Sequence, residues 1–404
     1  MNSVSIKSIS KQVSSGLTPL RSNSEFWDSP DIPWVKTALL GVKNIYDSNE
    51  NVSNLALENT GLKLNPINTL SIAMYGEGKT RGSVSILKKE MTTNQACCAV
   101  TCKQEVLNYE FLYYVINFNK NSLVGLGAGG AQPNISQMII KNFEIVLPLL
   151  EEQQKISLIL SSIDEKIGNT ANLINKTKEL KRGVMKRLLT KGIGHTEFKE
   201  TEVGLIPKGW EVKQLKDLAN IKRGASPRPI KDPKWFSQDK KVGWIRISDV
   251  SKTKKYLSVT QQYLSNDGIS KSRLVKNNDL IMSICATVGK PIILKMEACI
   301  HDGFVQFDEL NSEKVDVEFL YYFLVDHEET FKGKGQTGTQ ANINTNIVGV
   351  TEIPVPNISE QKRIAMILAS VDEKIDEYEL KKEKLQQLKQ GLMQKLLAGK
   401  IRVI

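Results

Sequence analysis

From Glu151 to Ile193 and again from Ser359 to Ile401 the chain writes nearly the same segment twice. The copies align without a gap at a constant spacing of 208 residues. That spacing carries Glu152 onto Glu360, Gln153 onto Gln361, Ile159 onto Ile367, and Asp164-Glu165-Lys166-Ile167 onto Asp372-Glu373-Lys374-Ile375. A period this long is not a solenoid of small units. It divides the chain into two large halves, each a globular part followed by a helix.

The helices follow from periodicity. In the second copy Ile364, Val371, Tyr378, Leu385 and Leu392 recur every seven residues, with Leu368, Ile375 and Leu396 on a companion row. Lys382 and Lys389 interrupt this seam. The first copy keeps the frame through Ile156, Ile163 and Val184, with Leu160, Ile167, Ile174 and Leu188 beside them, and turns polar at Thr170 and Thr177. Heptads sustained this long predict a coiled coil rather than a surface helix. Close to 40 proline-free residues give a rod of about 58 Å at 1.5 Å per residue. The two seams are expected to pack on each other, antiparallel.

The 208-residue spacing persists inside the globular parts. Glu110-Phe-Leu-Tyr-Tyr114 matches Glu318-Phe-Leu-Tyr-Tyr322, Gly16-Leu-Thr-Pro19 matches Gly224-Ala-Ser-Pro227, and Ala131-Gln-Pro-Asn-Ile135 matches Thr339-Gln-Ala-Asn-Ile343. Between these anchors the halves differ almost completely, so a common scaffold carries loops that have been set differently. Short β-like runs at 34–37, 70–74 and 83–87 alternate with polar turns, and Glu110–Phe118 reads as helix. The expected fold class is α+β, with two similar globular domains joined by two long helices as a pseudo-twofold repeat. Its expected boundaries are a first domain at 1–148, a helix at 149–191, a linker at 192–210, a second domain at 211–356 and a helix at 357–404.

Composition narrows the function. At 404 residues, with 40% hydrophobic and 25% charged side chains, the chain is globular and exceeds one comfortable core. It contains no run of 18 apolar residues, so no membrane partner is expected. The opening residues lack the charged and apolar regions of a signal peptide, which points to the cytoplasm. There Cys97, Cys98, Cys102, Cys285 and Cys299 are expected as reduced thiols. A net charge of +11 favours a polyanion partner, nucleic acid being the commonest.

Catalytic motifs are weak. Ala73-Met-Tyr-Gly-Glu-Gly-Lys-Thr80 fits a loose phosphate-loop pattern, but that chemistry needs a helix after the loop, and Arg81–Lys88 alternates like a strand. The cysteines lack zinc spacing, and the three histidines, His195, His301 and His327, supply no second ligand pair. Neither a nucleophile motif nor a carboxylate cluster is evident, and no catalytic, metal or cofactor-binding residue is assigned.

The better signal lies in basic, polar loops. Ile221–Lys231 places four cations beside a Gly/Pro turn, with Trp235 and Phe236 close by, and Lys334–Asn342 offers amides and hydroxyls on a glycine-rich backbone. Lysine and arginine suit phosphates, while Arg, Gln and Asn pair with base edges. The candidate DNA contacts in the first half are Lys11, Thr18, Arg21, Lys36, Lys79, Arg81, Gln132 and Asn134. In the second half they are Lys222, Arg223, Ser226, Arg228, Lys231, Arg246, Lys334, Gln336, Thr337, Thr339, Gln340 and Asn342.

A variable domain, a Gln-x-Asn-Ile-like loop, Ile353-Pro-Val-Pro356, Glu360-Gln-Lys-Arg-Ile364 and a long helix bearing Asp-Glu-Lys-Ile follow in order, and the pattern occurs twice around Leu205-Ile-Pro-Lys-Gly-Trp210. This order resembles the specificity subunit of type I restriction–modification enzymes over essentially the whole chain. The first half departs from it with Val146-Leu-Pro148 where the second has Pro-Val-Pro. The resemblance implies two target-recognition domains, each reading half of a split, asymmetric site in double-stranded DNA. It further implies long helices that dock two methyltransferase subunits, with Ile156, Ile163, Ile167, Ile364, Val371 and Ile375 on the docking helices. Motor-nuclease subunits can join. S-adenosylmethionine, ATP and magnesium would act in those partners, leaving this chain non-catalytic. Two other classes stay open at this point: a nucleotide-binding enzyme using residues 73–80, which ATP binding by the isolated chain would favour, and a coiled-coil scaffold indifferent to every duplex tested.

Overall fold

The computed structural model of the protein describes residues 3–28, 31–76, 80–127, 134–334 and 343–403. They form two compact units, Met1–Asn172 with Glu379–Ile404, and Leu173–Tyr378. The long helices span Leu150–Lys191 and Ile358–Leu396. Each unit therefore holds a stretch of both.

The first unit is built on a five-stranded sheet in the order Ser10–Ser15, Cys97–Cys102, Leu70–Ala73, Val84–Leu87, Asn44–Ile45. All neighbours are antiparallel except the last pair, which is parallel. Leu70–Ala73 and Val84–Leu87 are buried along their whole length, which is why they read as continuous rather than alternating runs. A smaller sheet orders Asn51–Val52, Ile32–Val35 and Thr92–Thr93. The helix Tyr109–Phe118 packs Phe111, Leu112 and Tyr114 into the main core, its first turn capped by Asn108 Oδ1 accepting from Phe111 N at 2.9 Å.

The second unit repeats this plan. Its five strands run Asn220–Arg223, Phe304–Asp308, Leu280–Ser283, Pro291–Leu294 and Tyr256–Leu257, again with one parallel pair at the end. The smaller sheet gains one strand, in the order Gln262–Tyr263, Gly243–Ile245, Ala298–Ile300, Arg273–Val275. Asp316 caps the equivalent helix Val317–Asp326, accepting from Phe319 N at 3.0 Å. Residues 192–210, expected as linker, contain a hairpin of Phe198–Thr201 with Gly204–Pro207, and bury Ile206 and Trp210 in the core.

Each domain meets its helix through a buried glutamine. Gln153 accepts from Asn108 N at 2.9 Å and donates to the carbonyls of Val106 and Pro148, both at 2.9 Å. Gln361 does the same with Asp316 N, Lys314 O and Pro356 O, each at 2.8 Å. Losing one such amide would strand three backbone groups, the Pro148 or Pro356 carbonyl among them buried, at about 1–3 kcal/mol for the buried one.

Within each unit the helix segments run antiparallel. In the first, Glu152 meets Arg402, Ile156 and Leu160 share a core with Leu396 and Leu397, and Asp164 meets Lys389 at 2.6 Å. In the second, Glu360 meets Ile193 and His195, Ile364 and Leu368 pack with Met185, Leu188 and Leu189, and Asp372 meets Lys181 at 2.6 Å. Lys389, read in the sequence as an interruption of the seam, is an ion-pair partner. The seam isoleucines Ile156, Ile163, Ile364 and Ile375 are buried in their own unit, and Ile167 and Val371 are half-buried. All six lie on the long helices, where they serve the core of their own unit.

An added Cβ on Gly16 would lie 2.1 Å from the Thr93 carbonyl oxygen, and one on the equivalent Gly224 would lie 2.0 Å from that of His301. By contrast Gly183 and its counterpart Gly391 sit in the long helices with open space around them. Gly224→Ala should lower the thermal midpoint sharply, whereas Gly183→Ala should stabilise by about 0.5–1 kcal/mol. Calorimetry on the two variants checks both signs.

Glu152 offers a pH test. Arg402 Nε donates to both its carboxylate oxygens, at 2.7 and 3.0 Å, and Val403 N adds a third bond at 3.3 Å. Arg402 holds the Glu152 carboxyl below its ordinary value of 4.5, against an opposing push from burial. A carboxyl with a depressed folded pKa adds stability that is present above its unfolded pKa and is lost as pH falls through the folded one. Urea denaturation of wild type should therefore lose stability more steeply below about pH 4.5 than Glu152→Gln does. Parallel acid limbs would show that the contact contributes nothing.

Candidate nucleic-acid interface

In the second unit the basic loop after Asn220–Arg223 folds back over the smaller sheet, and Asp302 gathers it. The Asp302 carboxylate accepts from Ser226 Oγ at 2.7 Å and from Arg228 NH2 at 3.1 Å, while its backbone carbonyl takes Arg223 Nε at 2.8 Å. The Ser226 bond in the first place, helped by Arg228, holds this carboxyl below its ordinary range. Beside it opens a cleft of about 440 Å³ lined by Lys231, Phe236, Trp244, Arg246, Gln262 and His301, among others. Arg246 NH1 donates to Gln262 Oε1 at 3.0 Å. His301 Nδ1 accepts from Gly303 N at 2.8 Å, which leaves Nε2 as the ring's donor, and burial pushes the ring below its ordinary titration range against an opposing pull from Asp302.

The first unit builds its counterpart around Glu50. Arg21 pairs with Glu50 at 2.7 Å and lies over the rings of Trp27 and Trp34, 3.6 and 4.8 Å from their centres. Lys36 pairs with the same carboxylate, and together the two cations hold it below its usual range, Lys36 first. Thr18, equivalent to Ser226, donates to Gln95.

The structure thus brings together Thr18, Arg21 and Lys36 near one small sheet, and Arg223, Ser226, Arg228, Lys231 and Arg246 near the other. It does not add the remaining candidates to these clusters. Lys11 is exposed where the strand Ser10–Ser15 slips register, and Arg81 is half-buried in the turn before the strand Val84–Leu87. Lys222 pairs with Asp308, while Asn134 and Lys334 are exposed beside the glycine-rich loops. Lys79, Gln132, Gln336, Thr337, Thr339, Gln340 and Asn342 lie outside the described residues.

The phosphate-loop pattern fails on geometry. Leu70–Ala73 pairs antiparallel with Val84–Leu87, and Gly82 N closes on Ala73 O at 2.8 Å, so a strand follows where a phosphate loop needs a helix. Cys97, Cys98 and Cys102 share one buried strand, their thiols pushed up to about 12 by burial. Among the described residues no His, Cys, Asp and Glu cluster fits a metal.

The model of the type I restriction modification DNA specificity domain matches residues 1–179 and again 207–390. The chain belongs to the type I specificity subunits. The type I restriction enzyme MjaVIII specificity subunit of Methanocaldococcus jannaschii is 30% identical over 83% of this chain and 80% of its own length. A chain of a solved type I restriction–modification system superposes with a TM-score of 0.64 at 16% identity, covering 98% of this chain and 97% of that one. The S subunit from Mycoplasma genitalium gives 0.59 at 16% identity, over 98% and 96%. At these identities the two structures bear on fold alone.

As a type I specificity subunit the chain recognises a DNA target, and its two matched segments each contain one cation cluster. Sequence reading missed Glu50, Gln262, His301 and Asp302. A signal was present, because Trp34-Val35-Lys36 and Trp244-Ile245-Arg246 are the same tripeptide pattern. They stand 210 residues apart rather than 208, and a fixed-offset comparison passes over them.

Proposed function

We propose that this chain is the non-catalytic reader of a bipartite, asymmetric DNA site, each unit recognising one half, within a complex of two methyltransferase and additional motor-nuclease subunits. One observation carries the reading. The units share strand order, glutamine anchors and the buried core, yet at the equivalent polar site one presents Arg21, Lys36 and Glu50 and the other Arg246, Gln262 and Asp302. The same frame with different reading groups is what two unlike half-sites require. Adenine methylation, with S-adenosylmethionine, ATP and magnesium, belongs in this reading to the partner subunits, and the complex works on DNA in the cytoplasm. Among the described residues no helix is long and apolar enough to cross a membrane.

Replacing residues 1–146 by the corresponding domain of another family member should change one half of the methylated sequence and leave the other intact. Methylation mapping in cells carrying the chimera and its methyltransferase checks this, and a change in both halves would sink the one-domain, one-half assignment.

Repeated apolar exposure on the long helices supports docking of two like partners. Leu158 and its counterpart Met366 are 70% and 66% exposed, and Leu180 and its counterpart Leu388 are 59% and 51% exposed. A patch written twice fits two copies of one partner. Leu158→Asp and Met366→Asp should each remove one methyltransferase subunit from the complex, and the double variant both, as read by mass measurement of the purified assembly. Unchanged mass in the double variant would exclude this surface.

A further inference from the structure

Resting on the DNA-reading function above, one cleft supports a more specific assignment. In each unit a tryptophan on the small sheet is followed two residues later by a cation, Lys36 or Arg246, that reaches a side chain on, or just before, the neighbouring strand. In the second unit that partner is Gln262, which pairs in register with Trp244. In the first it is Glu50, whose carbonyl accepts from Trp34 N at 2.8 Å. The two pairs therefore occupy one position of a shared frame. What differs is their chemistry.

The second-unit cleft mixes donors with acceptors. Arg246, Lys231 and the Gln262 amide donate, as does His301 Nε2–H, while Asp302 and Gln262 Oε1 accept. Asp302 keeps acceptor capacity, since a carboxylate offers about four lone-pair sites, of which the Ser226 and Arg228 side chains take two, with its own backbone N–H and His301 Nδ1 at 3.7 Å also beside it. A phosphate, which only accepts, would suit Arg246 and Lys231 but leave Asp302 facing a like charge. A base-pair edge, which presents both kinds of group, would face no such repulsion. The guanidinium is steadied through NH1 by Gln262, so its fork is oriented before DNA arrives. Guanine offers two acceptors side by side in the major groove, and its partner cytosine offers an N4 donor suited to a carboxylate.

We propose that this cleft reads one G·C pair of the second unit's half-site, Arg246 donating to guanine N7 and O6 and Asp302 accepting from cytosine N4. Gln262 is a positioning residue that holds the Arg246 fork. In the first unit Lys36 stands where Arg246 does and Glu50 where Gln262 does, with Arg21 held against Glu50, so different groups read the base at that position.

The test uses the full chain with its methyltransferase partner, comparing methylated sites and duplex binding for wild type, Arg246→Ala and Arg246→Lys. Both variants should lose guanine preference at a single position of one half-site, on the order of tenfold or more against the other bases, with every other position retained. Arg246→Lys keeps the charge and loses the fork, so it decides the matter if Arg246→Ala does not fold. Retained guanine preference in Arg246→Lys, with binding changed evenly across sequences and a salt slope altered by about one in Arg246→Ala, would identify a phosphate contact and overturn the proposal. Unaltered specificity in both variants would overturn it as well. A wild-type complex that methylates without any bipartite motif would instead overturn the DNA-reading function itself, and this inference with it.

Discussion

A half-buried aspartate on each long helix joins three separate stretches of chain. Asp164 accepts from the Tyr114 hydroxyl of its own domain at 2.8 Å and from Lys389 at 2.6 Å; Asp372 accepts from Tyr322 at 2.9 Å and from Lys181 at 2.6 Å. Each lysine also lies over the ring of the tyrosine it meets there, 5.5 and 5.4 Å from its centre. Ion pairs this accessible are worth about 0–1 kcal/mol, so they are not what keeps the helices folded. The energy comes from Ile156, Leu160, Ile364 and Leu368, each fully buried at roughly 1.5–3 kcal/mol. The aspartate supplies direction instead. A tyrosine hydroxyl and an ammonium converging on one carboxylate fix how the domain helix sits on its long helix.

That division explains how one frame serves two readers. Everything that sets geometry, from the capped helix Tyr109–Phe118 or Val317–Asp326 to the buried Gln153 or Gln361, lies on the helix side of the main sheet and recurs in both units. The small sheets carry the polar clusters, and there the second unit has one strand more. Changing a side chain such as the half-buried Lys36 or the exposed Arg246, each just past a strand end, disturbs no core.

The sequence displays the repeat and the helices because both rest on periodicity, which survives side-chain substitution, and the antiparallel direction because each globular part precedes its helix. It conceals features that depend on pairing across the chain. Lys389 looks like a flaw in a heptad until Asp164 is seen opposite. The hairpin at 198–207 has strands mostly open to solvent, so it lacks alternation, and only Ile206, Pro207 and Trp210 mark its burial. Of the polar sites, the cations are legible from composition, while Glu50, Gln262 and Asp302 are ordinary surface residues in sequence. Their role arises from strand register and from a two-residue shift between the halves.

The discontinuity of the first unit has a consequence for synthesis. Residues 173–378 contain the whole of the second unit, so it can close as soon as they emerge. The first unit is begun earlier and finished later. Its Glu152 must wait 250 residues for Arg402, and Asp164 must wait for Lys389. Contacts of such sequence separation are slow to form and leave apolar surface open in the meantime. A nascent chain halted before residue 379 would hold one completed domain and one still exposing Ile156 and Leu160. The domain written first is the last to be sealed.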